Sequence, residues 1–200
     1  MYTKEMFLEQ VKDHTLTVIK EDGLYRHVRV GRPDTICESW EIHTWPGYLA
    51  MAGDMGCWVF QRTLDMFCFF RPHGAELETN PRYWAEKLEA TDKTSDGWEK
   101  FSISKFQENV KQCAIDACGV ETFEEIPEER RDDLSTLLNA SDEWDAVAAV
   151  REFESEWLCL ADFWECSCQE MNTRFAFACY AIPWTVMLYD KVKQIEPSKE

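Results

Sequence analysis

A chain of 200 residues with 45% hydrophobic and 14% aromatic content has enough apolar material to bury a core without disulfide or metal support, which excludes a disordered protein. Its 38 Asp and Glu against 21 Lys and Arg give a formal charge of −17. Such a field repels DNA, RNA and anionic lipid surfaces and attracts basic partners.

The first residues, Met1 to His14, lack both the basic start and the apolar run of a secretory signal, and no segment reaches the roughly 20 apolar residues of a membrane span. A cytosolic protein is expected. The nine cysteines are odd in number and include no CxxC pair, so reduced thiols serving as small core residues are expected rather than disulfides or zinc.

In chain order, Thr3 caps a short amphipathic helix with Met6, Phe7 and Val11 on one face. Strands follow. Thr15 to Lys20 is β-rich, Asp22-Gly23 is a turn, and Leu24, Arg26, Val28 and Val30 alternate with Tyr25, His27 and Arg29. Gly31 to Asp34 breaks the pattern before Cys37 to Trp45, where Trp40 and Ile42 share one face and Glu41 and His43 the other. Tyr48 to Ala52 and Cys57 to Gln61 flank Gly53-Asp54-Met55-Gly56, a tight hairpin.

After Arg62 the period becomes helical. Thr63 caps Leu64 to Phe70, Asn80-Pro81 opens Arg82 to Ala90, and Ser104 with Gln107 boxes the start of Lys105 to Cys118, which Gly119 stops. Pro127 sits in the first turn of a helix reaching Asn139, and Ser141 starts another that carries Trp144, Val147 and Val150. The last helix, Met171 to Val192, is apolar on most faces and contains Pro183, which should kink it. The fold class is α+β: an N-terminal antiparallel sheet of four to five strands, then a mostly helical half. Residues 1–71 form the helix and sheet region and 72–200 the helical region, read together as one compact domain.

Catalytic signatures are absent. No nucleophile elbow and no glycine-rich phosphate loop occurs. His27 and His43, with Asp54, are the only grouping on the strands that suggests acid–base or metal chemistry, and a solvated strand face explains them more simply. Cys166 and Cys168 with Cys159 suggest a thiolate cluster, but i,i+2 spacing sends two helical side chains to different faces. No cofactor and no metal is expected. The tryptophans are read as core.

Charge is the unusual feature. It is −2 over residues 1–71, −3 over 72–119, −13 over 120–170 and +1 over 171–200. Glu124, Glu125, Glu128, Glu129, Asp132 and Asp133 recur at i, i+1, i+4, i+5, i+8 and i+9, which in one helix makes an acidic ridge, and Asp142, Glu143 and Asp145 open the next helix. Two such helices side by side would approximate a phosphate track. These nine residues are the candidate partner-binding site, with an acidic solvated surface as the plainer reading.

Ile42 to Leu49, Gly53 to Gly56, Val59 to Arg62, Asp65 to Arg71, Leu24 to His27, Asn80 to Leu88 and Phe177 to Asp190 together resemble a family of accessory proteins of tailed bacteriophages and prophages. The resemblance covers most of residues 2–92 and 160–190, and the acidic stretch lies outside it. It implies a small protein acting in the bacterial host cytoplasm, and it transfers no activity residue by residue. Small acidic phage proteins without catalytic motifs are similar to inhibitors of host immunity such as anti-CRISPR and anti-restriction proteins. The expected function is therefore a non-enzymatic, anti-CRISPR-like inhibitor that occupies a basic nucleic-acid-binding host protein or nucleoprotein complex as a DNA mimic. It would bind neither nucleic acid nor membrane. A small-molecule or nucleotide enzyme at the sheet and a structural or regulatory phage protein are the alternatives.

Overall fold

The structure is a computed structural model that describes residues 2–74, 76–93 and 97–194, and within it the chain divides into two compact units. Unit 1 comprises residues 1–98 and 171–200, and unit 2 comprises Glu99–Glu170.

Unit 1 begins with α1 (Lys4–Gln10), whose N-cap Thr3 accepts the Met6 N–H, and continues into β1 (Thr15–Asp22), β2 (Tyr25–Gly31), β3 (Trp40–Trp45), β4 (Tyr48–Gly53) and β5 (Gly56–Gln61). After α2 (Met66–Phe70) and α3 (Pro81–Ala85) comes a sixth strand, β6 (Leu88–Thr91). All six pair antiparallel in sequence order. The antiparallel sheet and α+β class are as the sequence predicts, with one strand more than expected.

The extra strand comes out of the segment read as a helix over Arg82 to Ala90. Asn80 caps that helix as expected, but it ends at Ala85. Without β6 the far edge of β5 would leave its backbone groups unpaired. Pairing Leu88 with Phe60 and Ala90 with Val59 satisfies them, so sheet closure overrides a modest helical preference.

One face of the sheet buries Val28, Val30, Ile42, Leu49, Met51 and Phe60. Against it lies α8 (Thr173–Lys193), capped by Asn172 and running through Pro183. This helix is buried around most of its circumference, as its continuous apolarity predicts, because the sheet and the shorter helices share it. The Trp40 indole N–H donates to Thr185 Oγ1 at 2.9 Å, and the Thr185 hydroxyl donates onward to the Ala181 carbonyl. A buried polar pair is thereby fully satisfied.

In unit 2, β7 (Glu99–Phe101) pairs with β8 (Gln169–Met171), the strands by which the chain leaves and returns. Between them lie α4 (Ile103–Cys118), α5 (Glu128–Asp133), α6 (Ser135–Leu138) and α7 (Glu143–Glu152), with 3₁₀ turns at Phe123–Glu125 and Phe163–Glu165. Phe106, Val110, Ile126, Leu134, Leu137 and Phe163 belong to a separate hydrophobic core.

Several caps differ from expectation. Asp65 rather than Thr63 caps α2, accepting the Phe67 N–H at 2.9 Å. Ser102 rather than Ser104 caps α4, since residue 102 is the extended one and its hydroxyl faces the Lys105 N–H. Asp142 caps α7, while Ser141 Oγ donates to Asp145. The cysteine expectation holds for Cys179 and Cys168, which are buried. Cys37, Cys68, Cys159 and Cys166 are exposed, and all nine are free.

Candidate functional site

The acidic segment, residues 120–170, lies wholly inside unit 2 and shares its C-terminal boundary. Unit 2 carries 19 carboxylates against six Lys and Arg, a net −13, so unit 1 is left with −4. Among the described residues one ion pair forms inside unit 2, Lys100 with Glu170 at 3.4 Å. Arg130 does not neutralise its neighbours in this way: it donates to Cys118 Sγ and lies over the Trp157 ring.

All nine acidic residues singled out above, Glu124, Glu125, Glu128, Glu129, Asp132, Asp133, Asp142, Glu143 and Asp145, are exposed. They do not form one helical ridge. Pro127 disfavours helical geometry at the residue before it, and Ile126 is extended, with φ −67° and ψ 133°. Glu124 and Glu125 therefore lie in a 3₁₀ turn, separate from Glu128 to Asp133 on α5. A second break at Leu134 divides the expected single helix, with the Leu134 N–H turning to the Arg131 carbonyl while Leu134 and Leu137 enter the core. The acidic surface is thus several short faces. Glu125 and Asp145 also accept backbone N–H bonds from Glu121 and Ser141. Those from the Ser141 hydroxyl and N–H hold the Asp145 carboxyl below the usual carboxylate range.

Aromatic groups stand among these charges. Trp144, read from sequence as core, is 85% exposed, in the first turn of α7 between Glu143 and Asp145. Its position explains this: Ala146 and Ala149 take the inward face of α7, and position 144 points the other way. Trp164 is also exposed, packed on Phe163 and Phe106. Trp157 donates its indole N–H to Asp133 Oδ2 at 3.0 Å, and these two residues with Glu154, Ser155 and Glu156 line an open groove of about 510 Å³.

The sheet carries the second grouping. His27 and His43 are directly opposed on β2 and β3, and their rings stack at 4.0 Å between centroids. Asp54 does not join them. It accepts the Glu38 backbone N–H from the loop that precedes β3, and the Trp40–Gly53 pair beside it is three residues from His43, roughly 10 Å along the strand. The carboxylate in contact with the imidazoles is Glu41: His27 Nε2 lies 2.7 Å and His43 Nε2 3.5 Å from Glu41 Oε2. The alternation of Glu41 and His43 on one strand face carried that signal.

The cysteines do not supply a second chemistry. Cys113, Cys166 and Cys168 lie close enough to interact electrostatically, but burial pushes the Cys113 and Cys168 thiols up, away from the reactive thiolate. Cys159, Cys166 and Cys168 do not form a metal-holding group among the described residues. No helix among the described residues is long and apolar enough to cross a membrane. No family model, curated protein or solved structure matches the chain.

Proposed function

We propose that this chain is a non-catalytic binding module, a phage-encoded inhibitor of a bacterial host defence system, which docks unit 2 on a basic nucleic-acid-binding surface of a host protein or nucleoprotein complex. The observation that carries this reading is the concentration of −13 in one folded unit with a single internal ion pair, around an exposed tryptophan. Uncompensated carboxylates steer a cationic partner and set its orientation. Trp144 supplies what charge does not, since a tryptophan that becomes fully desolvated is the side chain most able to anchor an interface.

The defence context comes from the resemblance to phage accessory proteins, and the place of action is the host cytoplasm. Because the acidic residues sit on several short faces, the mimicry of DNA is one of charge density rather than of a regular phosphate spacing. Reversing Glu125, Glu128, Glu129, Asp132 and Asp133 to Lys tests the proposal. Inhibition of the host defence should be abolished while far-ultraviolet circular dichroism stays that of the wild type, because all five side chains are exposed. Undiminished inhibition by the folded variant would refute it.

A further inference from the structure

The outer face of the six-stranded sheet in unit 1 holds a donor set that the acidic surface of unit 2 does not explain. We propose that His27, Glu41 and His43 form a binding site for a zinc-class divalent metal ion, held by the two imidazole Nε2 atoms and one carboxylate oxygen, with its remaining position open to water.

The three ligand atoms lie within 4.8 Å of one another, and no other such group of His, Cys, Asp or Glu occurs among the described residues. Zinc takes imidazole nitrogen at about 2.0–2.1 Å and carboxylate oxygen at about 2.0–2.2 Å in tetrahedral geometry, which sets its ligand atoms roughly 3.3–3.5 Å apart. Glu41 Oε2 and His43 Nε2 already have this spacing at 3.5 Å. His27 Nε2 and Glu41 Oε2 are at hydrogen-bond distance, 2.7 Å, and separate by about 0.7 Å when a metal replaces the proton between them.

The backbone that carries the ligands is fixed. His27 and His43 are a directly opposed pair in a ladder that runs from Arg26–Thr44 to Val30–Trp40, and Glu41 is two residues along β3 on the same face. A one-residue slip would turn Glu41 and His43 inward and Ile42 outward, so the buried face of the sheet also fixes the site. The side chains are 26%, 42% and 43% exposed for His27, Glu41 and His43, which leaves an open path for an ion and a water.

The donor set selects the ion. Two nitrogens and one oxygen suit zinc, cobalt and nickel rather than calcium or magnesium, which require more oxygens. Arg29, opposite Glu41 across the ladder, donates instead to the Thr35 carbonyl at 3.3 Å.

The test uses the full chain stripped by a chelator and titrated with Zn²⁺ alone, while the ring signals of its four histidines are followed by NMR. One ion per chain should shift the His27 and His43 signals and leave those of His14 and His73 in place. Glu41→Gln and His43→Gln should each weaken binding at least about tenfold, as loss of a ligand requires. Unmoved His27 and His43 signals in wild type under excess zinc overturn the site without need of any variant. So does a bound ion that survives both substitutions and perturbs cysteine signals instead.

Discussion

Arg26 and Asp65 are 39 positions apart in the chain and form a bidentate pair, with both N–O distances 2.9 Å. The guanidinium also lies over the Phe67 ring, and Asp65 caps α2, so one carboxylate holds a strand and a helix together. Burial pushes the Asp65 carboxyl up, and the hydrogen bonds and charge of Arg26 outweigh this, leaving it below the usual Asp range. Asp65→Ala removes both the pair and the cap and should cost about 3 kcal/mol in urea denaturation at neutral pH, and Asp65→Asn, which still caps, roughly 2 kcal/mol. The sign of the pH dependence follows from the lowered folded-state pKa: the stabilisation is present above the unfolded value, about 3.9, and is lost as pH falls through the folded one. The difference between wild type and Asp65→Asn should therefore shrink in acid. Arg71 and Asp190 form a second bidentate pair, at 2.7 and 2.9 Å. Nothing in the spacing of these four residues says which cation meets which carboxylate.

Helices α7 and α8 show how far an element can be read from its sequence. Continuous apolarity over Phe175 to Val186 marks α8 as central, and Phe177 is packed against Tyr2, Phe7 and Trp40. Phe177→Ala should cost about 3–5 kcal/mol. Trp144 on α7 is as large and as apolar, but Trp144→Ala should change stability by no more than about 0.5 kcal/mol while weakening partner binding by about 2 kcal/mol or more. Thermal melts and a binding titration of the two variants separate the roles. Local pattern located the turn at Asp22-Gly23, the hairpin at Gly53 to Gly56 and the caps at Thr3 and Asn80, because each depends on residues within a few positions. The histidine cluster was less legible. His27 and His43 meet only through the register of β2 with β3, and the long connection from Arg32 to Ser39 does not fix register as a two-residue turn would. Ile126 before Pro127 was a local signal against the acidic ridge, and the i,i+4 charge spacing concealed it.

For the whole molecule, the segregated charge makes salt act in opposite directions on two properties. Raising ionic strength from about 0.01 M to about 1 M shortens the Debye length from about 30 Å to about 3 Å. Screening should relieve the self-repulsion of a chain at −17 and raise its melting temperature, while weakening its attachment to a basic partner. Melting curves and binding titrations over one salt series check both signs, and binding that strengthened with salt would indicate an apolar interface instead. The composition gave the total charge, and counting by segment placed it near its true boundary. That the acidic segment folds together with the neutral helix α4 as one unit could not be read from the sequence, since their shared core is made by contacts distant along the chain.

The backbone N–H of Asn172 donates to the Trp98 carbonyl at 2.8 Å, so the chain resumes its first unit where it left it. An excursion whose two ends touch strains nothing when its contents change, because the strands and α8 are already joined beside it. Unit 2 is in this sense an exchangeable cassette. Substitutions within residues 99–170 should therefore leave the β2–β3 register and the paired histidines of unit 1 as they are.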